Sequence, residues 1–101
     1  MTIDIISYKL AEGVSHDDLM EAASDIVEAW MKNQAGFISW EINQCEDGSY
    51  TDFVHWNSLA EANAATGNMS QIPPDHKWLS VYDMSSVTAK KVETVFSFQN
   101  G

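Results

Sequence analysis

His55 and Trp56 are the residues whose type and position first suggest chemistry. Each carries a ring with a polar tip, and both stand where an aromatic and β-branched run, TDFVHW, gives way to SLAEANAA. An imidazole titrates near neutral pH, so His55 can serve as a general base or pack as a locally hydrogen-bonded core residue. Trp56 reads as a packing residue before a reactive one. His16 falls in the first turn of an expected helix and reads as solvated, while His76 follows Pro73-Pro74 and either lines a cavity or lies on the surface. Cys45 is the only cysteine, which excludes an intrachain disulfide and a cysteine-rich zinc site. No acidic run has the spacing of a calcium-binding loop, and no triad or metal cluster is spelled out. The metal expectation is therefore none.

The elements that position these residues follow from periodicity. Residues 3–10 alternate as a strand, with Ile6, Tyr8 and Leu10 on one face and Ile3 and Ile5 on the other. Ser15 is an N-cap, and the helix it opens runs from His16 to about Lys32 on an apolar stripe of Leu19, Ala22, Ala23, Ile26, Val27, Trp30 and Met31. Gly36 suits a left-handed position after it. A second strand spans Phe37 to Cys45, and Asp47-Gly48 predicts a two-residue hairpin into a third strand from Tyr50. That turn pairs Ile42 with Phe53, Trp40 with His55 and Ile38 with Asn57 on one face. It puts Asn43/Asp52, Glu41/Val54 and Ser39/Trp56 on the other. Ser58 and Glu61 spell a capping box for a second helix from Leu59 to about Thr66. Pro73-Pro74 marks a loop, DHKWLSVY suggests a short helix, and Thr88 to Phe98 alternates as a last strand.

The order βαββαβ gives an α+β, ferredoxin-like fold with a four-stranded antiparallel sheet covered by helices on one face. At 101 residues, 1–101 forms a single domain. The uncovered face is expected to expose Ile3, Ile5, Phe37, Val54, Trp56 and Val95, a surface that a homodimer would bury symmetrically. Fifteen acidic against five basic side chains give a net charge of −10, whose field repels phosphate backbones and anionic membranes. Nucleic acid and membrane are excluded as partners on that ground. No apolar run approaches the ~20 residues of a membrane span and no secretory leader is recognisable, so cytoplasmic localisation is expected.

The segments LAEGVSHDDLMEAASDIVEAW, AGFISWEINQCEDGSYTDFVHWNSLAEANAA and WLSVYDMSSVTAKKVETVF together resemble the dimeric α+β barrel superfamily, and within it domains of the antibiotic biosynthesis monooxygenase type. The shared features are a Gly-containing loop before the first helix, Gly-Phe opening the second strand, the Asp-Gly hairpin, and a strand ending in Trp-x-Ser. The resemblance implies a homodimer through the open sheet face, with a small-molecule cavity between helices and sheet. It also implies oxygenation of phenol- or quinol-type substrates without a cofactor. Such a reaction needs a dry cavity, a base for a phenolic proton and donors for the oxyanion. His55 is the expected base, with Tyr8, Trp40, Asn57, His76 and Trp78 as substrate-binding residues. A more distant, haem-degrading branch carries a Trp in the second helix and an Asn on the first strand. This chain has Ala62, Ala64 and Ala65 in the one and Ser7 and Tyr8 in the other, which leaves His76 as a partial match. The alternative to an enzyme is a non-catalytic, metabolite-binding or stress-related dimer using the same cavity.

Overall fold

Gly48 sets the geometry of the sheet. The computed structural model describes residues 1–101, and in it Gly48 has φ +89°, a left-handed conformation that costs glycine little. Its amide donates to the Cys45 carbonyl (3.0 Å), and the Cys45 amide donates to Ser49 O (2.8 Å). Glu46, Asp47 and Gly48 thus form a three-residue hairpin loop, a tight turn followed by a left-handed glycine, in place of the expected two-residue turn. The extra residue shifts β2 (Phe37–Gln44) by one against β3 (Tyr50–Trp56). Trp40 pairs with Val54 and Ile42 with Asp52; the expected Trp40/His55 and Ile42/Phe53 pairs do not form. A bulge between Phe37 and Ser39 breaks the ladder at its far end, so Ile38 does not face Asn57 and Phe37 pairs with Trp56.

Side chains alternate along a strand, so this shift reassigns the faces. Along β3, Tyr50, Asp52, Val54 and Trp56 are buried, whereas Thr51, Phe53 and His55 are only partly so. Val54 and Trp56, expected on the open face, lie beneath the helices, and so does Phe37, whose ring meets Trp56 edge-on at 5.7 Å. The sheet order is β2-β3-β1-β4, all neighbours antiparallel, with β1 (Thr2–Tyr8) and β3 central. By the same registers the open face carries Ile3, Ile5, Phe53, His55 and Val92.

The helices form where their caps predict. In α1 (His16–Ala29) Ser15 accepts from the Asp18 amide while Asp18 accepts from Ser15 N, and Leu19, Ala22 and Ile26 are fully buried. A 3-10 turn (Met31–Asn33) follows it in place of a last α-helical turn. In α2 (Leu59–Gly67) Ser58 accepts from the Glu61 amide, and its hydroxyl donates to the Glu61 carboxylate (3.1 Å). Only half of the expected box therefore forms. The segment DHKWLSVY makes a 3-10 turn over Lys77–Ser80. The last strand, β4 (Thr88–Glu93), ends five residues short of Phe98. The cause is its partner: Glu93 pairs with Thr2, the first residue of β1, and beyond it Thr94 N reaches Met1 O. Val95, Phe96 and Phe98 lie beyond it, 79–95% exposed. No helix is long and apolar enough to cross a membrane.

Candidate active site

Asp52 is the polar centre of the covered sheet face. It sits mid-strand on β3, 1% exposed, between the buried Tyr50 and Val54. Tyr8 Oη donates to its Oδ1 (2.9 Å) and Trp40 Nε1 to its Oδ2 (3.2 Å). Tyr8 comes from β1 and Trp40 from β2, so three adjacent strands each contribute one group. Burial disfavours the charged carboxylate and pushes Asp52 up to about 6, against the opposing pull of the two donors. Burial, reinforced by the negative charge and acceptor of Asp52, keeps the Tyr8 phenol protonated far above its ordinary range. A buried carboxyl that titrates just below neutrality is poised to take a proton.

Asp4 lies beside this group. It opposes Val54 while Ile6 opposes Asp52, which makes Asp4 and Asp52 diagonal neighbours on one face, roughly 7–8 Å apart. Lys91 Nζ stands 3.9 Å from Asp4 Oδ2. Burial pushes the Asp4 carboxyl up, and Lys91 opposes the shift.

Two adjoining cavities meet at Asp4, Ile6, Asp52, Thr66, Met69 and Trp78. The inner one, about 90 Å³, is walled by Trp30, Trp40, Trp56 and apolar residues of α1 and α2. The outer one, about 310 Å³, is bounded by Tyr8, Tyr82, Met84, Val87, Ala89 and Lys91. That volume is at the lower end for small-molecule sites, which run from roughly 300 to 1,000 Å³. Trp78 stands edge-on to Trp40 (centroids 5.1 Å, 86°) and to Tyr82 (5.9 Å, 65°), giving the wall aromatic surfaces steeply inclined to one another.

Of the residues singled out by sequence, Tyr8, Trp40 and Trp78 converge here. His55 does not. It stands opposite Ile3 and Ser39 on the open face, where its Nδ1 lies 3.4 Å from Met1 Sδ. Asn57 is exposed on the bend after β3, with its amide bonded to Gly36 O. His76 caps the 3-10 turn at Lys77 by accepting from the Trp78 amide (3.0 Å), and it lines neither cavity. His16 is exposed, as expected, and its Nδ1 lies 2.9 Å from Tyr50 Oη. Asp4, Asp52, Tyr82 and Lys91 escaped the sequence reading. The available signal was a carboxylate in the middle of each of two apolar strands, where Asp is normally depleted. No three His, Cys, Asp or Glu side chains converge as metal ligands. The cavity lining has no His or Cys to ligate a haem iron, and its Tyr8 is already bonded to Asp52.

No family model and no curated protein matches the sequence. Solved structures do match the fold. SnoaB, a cofactor-independent oxygenase from Streptomyces nogalater, superposes with a TM-score of 0.75 at 10% identity, covering 98% of this chain and 97% of its own. The monooxygenase ActVA-Orf6 of Streptomyces coelicolor, in complex with nanaomycin D, gives 0.70 at 11% identity over 99% and 92% of the two chains. The heme-degrader MhuD of Mycobacterium tuberculosis, with two hemes bound in its active site, gives 0.76 at 19% over 98% and 100%. The fold is thus the ferredoxin-like one shared by antibiotic biosynthesis monooxygenases and their dimeric α+β barrel neighbours.

Proposed function

We propose that the protein is a cofactor-independent monooxygenase of a small phenol- or quinol-type aromatic, working as a homodimer through the open sheet face. The observation that carries this reading is Asp52, a buried carboxyl facing an apolar, aromatic-walled cavity. In this reading Asp52, and not His55, takes the phenolic proton. The electron-rich phenolate is then the reductant for dioxygen. One oxygen atom enters the product as a carbonyl, and the other leaves as water with the two hydrogens lost by the substrate. Tyr8 and Trp40 position the carboxylate, and Trp78 supplies a face for the ring. Likeness of fold to SnoaB and ActVA-Orf6 supports the class of reaction. The partly buried Ile3, Ile5, Phe53 and Val92 on the open face support the dimer.

An oxygen electrode with a panel of quinols and phenols tests the proposal. Uptake above the uncatalysed rate is expected for at least one compound, falling ~10²–10⁴-fold in Asp52→Asn as for loss of a general base. Absence of uptake across the panel refutes the oxygenase. One observation favours the second reading, a metabolite-binding dimer: both Asp52 oxygens already accept a hydrogen bond, as those of a purely structural carboxylate would. Tight binding without oxygen uptake is its signature.

A further inference from the structure

Six rings form an unbroken line from the cavity wall to the surface. Trp40 meets Trp78 at 5.1 Å between centroids, Trp78 meets Tyr82 at 5.9 Å, and Tyr82 meets Tyr8 at 6.0 Å. Tyr8 then stacks on Tyr50 (5.9 Å, 17°), and Tyr50 on His16 (6.0 Å, 28°), an exposed residue. Indoles and phenols are the most easily oxidised rings a protein has, and all three tyrosines of the sequence lie on this line. Trp30 and Trp56 stand outside it, both buried, and Trp56 pairs with Phe37, a ring far harder to oxidise. A second observation is that the hydrogens are placed to follow the electrons. An oxidised phenol is a strong acid and an oxidised indole a moderate one, so each needs an acceptor for its proton. Trp40 Nε1 and Tyr8 Oη both donate to the Asp52 carboxylate, at 3.2 and 2.9 Å. At the far end Tyr50 Oη lies 2.9 Å from His16 Nδ1. Gln44 Nε2 donates to the same phenol oxygen (3.4 Å), which leaves the phenol hydrogen directed at the imidazole.

We infer that this line is an electron relay, which reduces radicals formed in the cavity with an electron drawn from outside the protein. Electron transfer falls off exponentially with distance, so several short steps outrun one long one. The oxidant is an organic peroxyl radical, the class that arises when dioxygen adds to a one-electron-oxidised aromatic. It takes one electron from Trp78 or Trp40 and becomes a peroxide anion, which takes a proton from water. Tyr8 returns an electron to the indole and places its own proton on Asp52. Tyr50 then reduces Tyr8, which takes that proton back, while the phenol proton of Tyr50 passes to His16. The exposed imidazole releases a proton to water, matching the one that the peroxide took up. Tyr50 is 2% exposed, so a soluble reductant such as ascorbate reaches its radical through His16 and restores one electron and one proton. Met69 and Met84 border the outer cavity as thioethers open to oxidation, so a radical left there would damage the site. The inference rests on the proposed function only for the source of the radical.

Pulse radiolysis of the purified protein in azide buffer tests it without substrate. Azide radicals oxidise indoles first, and Trp40 and Trp78 are less buried than Trp30 and Trp56. The tryptophanyl absorbance should pass into tyrosyl absorbance at a rate independent of protein concentration. Tyr8→Phe combined with Tyr82→Phe keeps every ring, removes two phenols, and should slow that conversion at least tenfold. Tyr50→Phe and His16→Ala should each leave the conversion in place and slow the reduction of the tyrosyl radical by ascorbate at least tenfold. Three results overturn the relay: a tryptophanyl signal that persists or decays in proportion to protein concentration, conversion undiminished in the double variant, or ascorbate reduction unchanged in Tyr50→Phe and His16→Ala. Should the double variant not fold, His16→Ala, at an exposed position, carries the test. Oxygen uptake is read separately, so a relay without uptake refutes the oxygenase alone, and uptake without a relay refutes the relay alone.

Discussion

Replacing Asp52 by Asn should make the protein more stable, and more so as pH rises. Asp52 titrates at about 6 in the folded chain against 3.8 for an unperturbed side chain, so between these values the folded state holds a proton that the unfolded state has released. The stability contributed by the protonated carboxyl is fully present below about pH 4 and is lost as pH climbs through 6. The difference of about 2.2 pH units, at 1.36 kcal/mol each, amounts to about 3 kcal/mol. The side chain introduced by Asp52→Asn has no charge to desolvate. Its carbonyl can accept from Trp40 Nε1 and its amide can donate to Tyr8 Oη, which rotates to suit. Urea unfolding followed by tryptophan fluorescence, at steps from pH 5 to 8, gives both curves. The carboxylates common to the two proteins cancel in their difference. That difference should grow by about 1–3 kcal/mol across the range and favour the variant at pH 8. Parallel curves, or an Asn variant less stable at pH 8, would refute the account of Asp52 as a carboxylate held against its solvation. The same variant loses oxygen uptake if Asp52 is the base, so stability and activity move in opposite directions at one atom.

Three further outcomes follow from neighbouring features. Trp40→Phe removes a donor that pulls Asp52 down, so the midpoint of the pH-dependent stability difference should move upward; an unmoved midpoint denies that hydrogen bond a role. Gly36→Ala should cost about 1–2 kcal/mol in urea unfolding, because φ is +81° and the new Cβ would meet the Glu61 carboxylate at 2.4–2.6 Å; Gly36→Ala combined with Glu61→Ala should recover the steric part and not the conformational part. Phe53→Asp places a charge in the middle of the open face and should yield monomers in sedimentation at micromolar concentration, whereas an unchanged dimer puts the interface elsewhere.

The element order, the helix caps and the position of the hairpin were legible because each rests on local chemistry. Ser15 and Ser58 cap, Leu19 and Ile26 repeat at helical spacing, and Asp47-Gly48 turns the chain. What was not legible was a count. Asp-Gly serves a two-residue turn and a three-residue loop equally well, and counting from Trp40 through the shorter one assigns His55 to the cavity face and Asp52 to the open one, the reverse of the pairing found. The length of β4 was hidden for another reason. Its alternation runs on through Phe96 and Phe98, but a strand ends where its partner does, and β1 begins at Thr2. The role of His76 as a cap was invisible because a histidine after two prolines looks the same whether its ring faces a ligand or its own backbone.

The hairpin at Cys45–Ser49 has a bearing on how this protein can vary. The face that β3 presents is fixed by its pairing with β1, Tyr50 against Tyr8 and Asp52 against Ile6, so β3 cannot rotate to absorb a change in the loop. β2 has no second neighbour, so any shift that the loop itself does not absorb falls on β2. Adding one residue to the loop is an odd step: β2 either turns over, sending Trp40 to the open face and Ser39 and Glu41 into the cavity, or slides and parts Trp40 from Asp52. Adding two is an even step: a two-residue slide keeps Trp40 on the covered face, one like-facing position along β3. A solvent-exposed loop that touches no ligand thus obeys an arithmetic rule, tolerant of length and intolerant of parity. Near-ultraviolet circular dichroism of the one-residue and two-residue insertions should show the signal of the packed indoles lost in the first and kept in the second.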